Sequence, residues 1–521
     1  MRSGGRTSGT ARIFDALVVG AGFGGLGAAL ALTEGGADVC VCEALRYPGG
    51  CASTFERGGY RFDAGATLMS GLGPGQPFGD WLAARGGGGV TLDWIDPLVT
   101  LRTGDLTLVV GRDRDAFVRG LCAMPGADPA RIHAFFAEQR RVADVLWRLF
   151  DDPASLPPLG ARALAKHAAR VLDYAPLLPL LGRPLSDVLA RHGLADFEPL
   201  RIYADALCQI TVQCPASEAE APFALAAMDY YHRGTAHVRG GVGALAEALL
   251  SFVANEGGTV QLANRVRGLS RGADGVWSCE TRRGTLRART VIANVLPSVL
   301  PTLLDVHTPL PSFVSALSER VEEGWGAVML YVVLRVDAGS GSGPEAHHLE
   351  LVADVARPFT EGNHLFVSLS DTREAERAPA GHRVATISTH VPLARTRVSA
   401  AQTEAEVASY VTAVQARMRD TLRLRAPEVA TAITHEMTAS PRTFQRFTGR
   451  PRGAVGGVPR RAGLANYANL GPLSPTPGLW LVGDSVFPGQ SALATAIGGA
   501  RTAAAVLASG LTSPRARRIS R

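Results

Sequence analysis

An apolar strand that breaks at glycine and resumes as an alanine-rich helix constrains this chain more than any other feature. It reads Leu17-Val18-Val19-Gly20-Ala21-Gly22-Phe23-Gly24-Gly25-Leu26-Gly27, and Ala28 to Leu32 continue the helix. Gly20 permits a tight turn, Gly22 lets the backbone approach a pyrophosphate, and Gly25 lets the helix pack closely on the strand. Phe23 and Gly24 complete the turn, and the helix N-terminus offers free N–H groups to phosphate. A second apolar strand, Asp38-Val39-Cys40-Val41-Cys42, ends in Glu43, at about the 20-residue spacing that this pattern requires. A carboxylate there accepts ribose hydroxyls, and with no arginine beside it on the strand it argues against a 2′-phosphate. The alternative for a glycine-rich helix start is packing alone.

The 521 residues suffice for two or more domains or one large composite unit, and 46% hydrophobic with 19% charged residues is a globular composition. The net charge is +6, and Lys166 is the single lysine, so the positive charge is arginine. Two readings stand: arginine usage without function, and attraction to anionic lipid. Scattered arginines without a binding motif exclude a nucleic-acid partner. Seven cysteines without a CxxC pair (Cys40, Cys42, Cys51, Cys122, Cys208, Cys214 and Cys279) predict reduced thiols, a cytoplasmic location and no structural zinc. No run of about 20 apolar residues predicts a transmembrane helix.

Three separated segments carry nucleotide-domain signals: residues 13–73, 237–300 and 465–510. The second opens on Arg239-Gly240-Gly241-Val242-Gly243, continues through a helix from Ala244 to Asn255, and ends on the strand Thr290 to Asn294. The third holds the strand Gly478 to Asp484 and a helix from about Ser491 to Leu507. Residues 74–236, largely helical, and 301–464, with strands at Ala327–Val336, His364–Leu369 and Val384–His390 and a helix at Glu404–Leu424, form the expected second domain. Residues 1–12 read as a flexible tail, Gly339–Gly343 as a surface loop and 511–521 as a basic tail.

Three further blocks are distinctive. Pro48-Gly49-Gly50-Cys51-Ala52-Ser53 leads to Phe62-Asp63-Ala64-Gly65-Ala66-Thr67. Pro441-Arg442-Thr443-Phe444 leads to Arg446-Phe447-Thr448-Gly449-Arg450. Val482-Gly483-Asp484-Ser485 leads to Pro488-Gly489-Gln490-Ser491. With these blocks the chain resembles, over nearly its whole length, the flavoproteins that include bacterial phytoene desaturases, carotenoid C-3′,4′ desaturases and carotenoid cis–trans isomerases. The Pro441–Arg450 block most resembles the C-3′,4′ branch. The resemblance implies an α/β fold: a Rossmann-like, amine-oxidase-like FAD-binding domain assembled from three segments, with an interleaved α+β substrate domain.

It also implies roles for residues. Gly20, Gly22, Phe23, Gly24, Gly25 and Glu43 would hold the adenosine end of FAD, with the backbone of Val266 against adenine. Gly49, Gly50, Ser53, Ala66 and Thr67 would lie toward the pyrophosphate and flavin, and Gly483 and Asp484 would meet the ribitol or phosphate. The helix after Gly489, Gln490 and Ser491 would aim its positive end at the flavin C2 carbonyl. A plain turn with Asp484 as an N-cap acceptor is the alternative reading of Gly483-Asp484.

The implied activity is oxidation of a long apolar polyene by hydride transfer to flavin N5, with oxygen or a quinone as final acceptor. Two alternatives are cis–trans isomerisation without net redox, and an amine or retinoid-like alkene as substrate. A third is a non-catalytic escort of prenyl groups. No acid–base residue is nominated. His232 and His237 flank Gly234 either as bases near the flavin or as surface or core histidines, with the latter favoured, and His347-His348 lacks a third ligand for a metal. Leu172 to Leu181, after Arg162, Lys166 and Arg170, reads either as a bilayer-docking element on the inner face of the membrane or as an ordinary core helix end, the latter favoured.

Overall fold

The computed structural model describes residues 12–305, 308–336, 347–399 and 402–510. The expected Gly339–Gly343 loop, the tail 511–521 and all of the first tail but Arg12 lie outside the described residues. Arg12 itself donates to Asp38 at 2.7 Å.

The strand Ile13–Val19 is flanked in parallel by Val39–Cys42 on one side and Gly284–Ala293 on the other, with Val18 opposite both Val41 and Ile292. Thr259–Gln261 extends the sheet beyond Val39–Cys42, and Leu479–Leu481 pairs in parallel with the end of Gly284–Ala293. All three separated segments thus supply strands to one sheet. A parallel sheet must bury both faces. One face is covered by the helices Phe23–Glu34, Gly243–Asn255 and Ala492–Ala508, through Leu26, Leu30, Leu249 and Ile497 against Val18, Val41 and Ile292. On the other, Leu17, Val19 and Val291 meet Trp277, Leu300, Val314 and Leu317.

Glycine sets how closely these helices approach. A Cβ on Gly27 would lie 2.2 Å from Ala496 O, and one on Gly499 would lie 2.0 Å from Gly24 O. No side chain fits at either crossing.

The second sheet centres on Trp325–Arg335, antiparallel to His382–Pro392 and Ile433–Ala439. His364–Leu369, His348–Val352, Val99–Arg102 and Thr107–Val110 continue it. Its strands alternate between faces. Val328, Leu330, Val332 and Leu334 pack on Val414, Met418 and Leu422 of the helix Glu404–Arg425, which a capping box between Thr403 and Glu406 starts. Ala327, Met329 and Phe366 reach the opposite side, where the helices Pro129–Asp151, Glu198–Thr211 and Ala221–Ala227 complete a wall.

One favoured expectation fails. Val171–Leu180 is not a core helix end: Val171 is 62%, Leu172 83% and Leu178 68% exposed, and Leu180 alone of the segment is buried. Pro176 and Pro179 interrupt regular helical bonding, so the segment runs as tight turns along the surface. Among the described residues no helix is long and apolar enough to cross a membrane.

Candidate flavin site

The glycine turn closes as its sequence requires. Gly20 adopts φ +94° and donates to Cys42 O at 2.8 Å. A Cβ on Gly25 would sit 2.0 Å from Gly20 O. Gly22 precedes the helix Phe23–Glu34 without a side-chain cap, leaving the first-turn N–H groups open to an anion. Phe23 offers only its backbone, because its ring is buried edge-on to Phe78 at 5.7 Å.

Glu43 is 7% exposed, and its two oxygens accept from Ala21 N at 2.7 Å and Leu45 N at 2.8 Å. Burial pushes this carboxyl up, and those N–H donors pull it only part of the way back. Each oxygen keeps a lone pair for a ribose hydroxyl. Asn264 N donates to Glu43 O at 2.7 Å, which brings Val266, at the start of its strand, to the same end of the sheet.

Gly49, at φ +106°, donates to Ala21 O at 2.8 Å, so the loop Gly49-Gly50 lies directly on the first turn. Ser53 is buried beneath that loop. From the C-terminal part of the chain Gly483 arrives at φ +120°, and a Cβ on Gly24 would lie 3.1 Å from Gly483 N. Asn294, a residue given no role by the sequence, fills the space between them. Its amide lies 2.8 Å from the Cβ positions of Gly22 and Gly24 and 3.1 Å from that of Gly483.

Asp484 is no plain N-cap. Arg450 Nη2 donates to its Oδ2 at 2.6 Å. Burial, the largest single influence, lowers Arg450, but Asp484 and Cys51 together outweigh it and hold the guanidinium above its ordinary value. Ser491, at φ +87°, caps the helix Ala492–Ala508 by accepting from Ala494 N at 3.0 Å.

A cavity of about 340 Å³ adjoins this end. Ala66, Thr67, Gln490 and Ser491 line it beside Cys51, and Trp147, Phe223, Met329, Phe366 and Phe444 supply much of its apolar wall. No Asp or Glu lines it. Several polar lining residues escaped the sequence reading, among them Gln213, His390 and Arg460. Burial lowers His390 to about 4, which keeps it neutral at pH 7. His232 and His237 do not reach the cavity: His232 packs near Phe117, and His237 pairs with Glu374 at 3.0 Å, as core histidines do. His347 and His348 lie beside His237, and among the described residues no group of three His, Cys, Asp or Glu is placed to hold a metal.

The residues therefore fit a long phosphate-bearing cofactor. An uncapped helix end, glycines packed so closely on Asn294 and on the turn itself that no Cβ fits, and a buried carboxylate lie at one end. A capped helix N-terminus opens on a cavity at the other.

Comparison with known proteins agrees. Residues 18–84 match the NAD(P)-binding Rossmann-like domain, and residues 120–508 match the flavin containing amine oxidoreductases. A chloroplastic prolycopene isomerase of Arabidopsis thaliana is 26% identical across 97% of this chain and 84% of its own. A neurosporene-forming phytoene desaturase of Cereibacter sphaeroides is also 26% identical, over 48% of this chain and 46% of its own. A putrescine oxidase solved with putrescine bound shares the fold, with a TM-score of 0.58 at 16% identity over 96% of this chain and 100% of that one. The resemblance to carotenoid desaturases and isomerases is thus borne out, and the match over residues 120–508 makes this chain a flavin-dependent enzyme of the flavin containing amine oxidoreductase family.

Proposed function

We propose that the chain binds FAD and acts on a long carotenoid-type polyene, converting a cis double bond to trans. The observation that carries the substrate reading is the cavity: its wall is largely apolar, it holds no carboxylate, and it opens beside the helix that starts at Ala492. An ammonium substrate would need a counter-ion there, and the charged side chain present is the cation Arg460. The prolycopene isomerases of Arabidopsis thaliana and Daucus carota match over 84% and 81% of their own length, against 46% for the phytoene desaturase of Cereibacter sphaeroides, which favours isomerisation over desaturation.

In this reading residues 13–73, 237–300 and 465–510 form the cofactor half. Gly20, Gly22, Gly24, Gly25, Gly49 and Gly50 would cradle the pyrophosphate, Glu43 and Val266 the adenosine, and Asp484 the ribitol. Ala66, Thr67, Gly489, Gln490 and Ser491 would border the isoalloxazine. The cofactor, when bound, supplies the electron-transfer chemistry. The chain holds the polyene against it, excludes water, and directs the positive end of Ala492–Ala508 toward it.

A second reading, desaturation, is favoured by His390. The flavin, when bound, would supply the acceptor for a hydride from one carbon, and the neutral imidazole in the wall would take the proton from its neighbour. That reading needs a final acceptor, oxygen or a quinone. Product mass separates the two: isomerisation loses no hydrogen and desaturation loses two. Holoprotein is incubated with all-cis and all-trans polyenes in liposomes; no change in any polyene would sink both.

Delivery from a bilayer belongs to the same proposal. Leu164, Val171, Leu172 and Leu178 are exposed in the segment that carries Arg162, Lys166 and Arg170, the combination that binds an anionic surface, here the inner face of the membrane. Co-flotation with phosphatidylglycerol vesicles, lost on changing Leu172 and Leu178 to serine, is the expected result.

A further inference from the structure

Arg460 is 7% exposed and lines the apolar cavity, yet among the described residues it makes no ion pair. Its Nη2 donates to Pro488 O at 2.9 Å and its guanidinium lies 5.2 Å from the centre of the Phe223 ring. Burial is the main cause that lowers it, to about 10, and Arg320 adds to the effect. One backbone carbonyl and one ring face leave most of its five donors unspent.

Two acceptors lie in the same wall. Gln213 Oε1 and Gln490 Oε1 are buried without a hydrogen-bond partner. The three residues are tied together: Arg460 N donates to Val212 O at 2.9 Å, next to Gln213, and Gln490 Nε2 donates to Thr211 O. The fold makes room for this arrangement. Gln213 sits at φ +62°, and a Cβ on Gly456 would lie 1.4 Å from its Nε2. A hydrocarbon pressed against these groups would leave a cation and two carbonyls desolvated without compensation.

We propose that Arg460, Gln213 and Gln490 form a polar subsite for a neutral ligand group that presents an oxygen to the guanidinium and an O–H or N–H to the glutamine carbonyls. Two sources offer that chemistry: a hydroxyl on the polyene, and the pyrimidine edge of the flavin, where carbonyls flank an N–H. The subsite rests on the flavin and polyene reading above and specifies which part of either ligand the polar wall engages.

The test uses the flavin-loaded enzyme and the variants Arg460→Met, Arg460→Lys and Gln213→Leu. One arm titrates sulfite, whose adduct leaves negative charge on the pyrimidine ring. The other titrates a hydrocarbon polyene and its terminally hydroxylated counterpart. Arg460→Met weakens either sulfite binding or hydroxylated-polyene binding by about tenfold or more, and hydrocarbon binding stays unchanged. The arm that moves names the source, and Arg460→Lys recovers part of the loss. Arg460→Met also loses the hydrogen bond to Pro488 O and the contact with Phe223, so its melting temperature is read only to confirm folding; the deciding readout is loss in one binding arm with hydrocarbon binding unchanged, which a purely structural role would not give. Should Arg460→Met fail to fold or to retain flavin, Gln213→Leu carries the same comparison. Affinities for sulfite and both polyenes equal to wild type in the variants overturn the subsite. A colourless wild type, or one that binds no polyene, overturns the underlying reading instead.

Discussion

Glu43 shows how one side chain joins the fold to the ligand. Its oxygens hold the Ala21 and Leu45 N–H groups, so it braces the glycine turn before any ribose arrives. Replacing it with glutamine turns one acceptor into a donor facing an N–H. The cost is about 2 kcal/mol, and Glu43→Gln is expected to retain several-fold less flavin after dialysis, read as the ratio of absorbance at 450 to 280 nm. Asp484 and Arg450 behave as a unit. Removing either alone strands a half-buried charge, so Asp484→Asn and Arg450→Gln each lower melting temperature and flavin content, while the double variant loses less than their sum. Additive losses would show that the pair is incidental.

At the scale of elements, the crossing of Phe23–Glu34 with Ala492–Ala508 controls both ends of the site, since one helix follows the phosphate turn and the other starts at Ser491. Gly499→Ala would place a methyl 2.0 Å from Gly24 O. Overpacking of this kind costs about 1–3 kcal/mol, and the helices must separate at the turn itself. Gly499→Ala is expected to unfold at lower urea and to lose flavin; Gly120→Ala, in the helix Arg114–Cys122 where a Cβ meets nothing, serves as the control.

These elements were legible because their signals are local. The strand-glycine-helix pattern lies within 16 consecutive residues, from Leu17 to Leu32, and the helices and strands of the second domain fall within a few residues of their apolar periodicity. Asn294 closed its strand in the sequence with no hint of a role, because its partners Gly22 and Gly483 are distant in sequence and meet only in the folded sheet. Arg460 and Gln213 were silent for the same reason: a cavity wall drawn from helix, strand and loop leaves no periodic trace. Val171–Leu180 misled, because an apolar run reads as core wherever proline and the rest of the chain decline to cover it.

At the scale of the whole molecule, the described residues form two large sheets and two small ones, and the hairpin of Thr54–Arg57 and Tyr60–Asp63 meets the second large sheet across a charged seam. Asp63 Oδ2 meets Arg377 Nη1 at 2.9 Å, Thr386 Oγ1 donates to Asp63 O, and Tyr331 Oη donates to Ala64 O. His237, His347 and His348 cluster beside that seam, while His390 lies in the cavity wall and His232 in the helical core. Burial lowers His232, His347 and His390 to about 4, and His348 falls further. The unfolded chain binds these protons near 6.5. Folded values below unfolded ones mean that stability is complete above pH 6.5 and is lost as pH falls toward 4. A half-buried imidazole such as His390 accounts for at most about 3 kcal/mol over that window, and several together become comparable to the reserve of an ordinary domain. Melting temperature is therefore expected to be flat from pH 8 to 7 and to fall steeply between 6 and 4. His390→Gln, which removes one titrating ring from the cavity, flattens that slope, whereas an unchanged slope in the variant would assign the acid sensitivity to the seam histidines and His232.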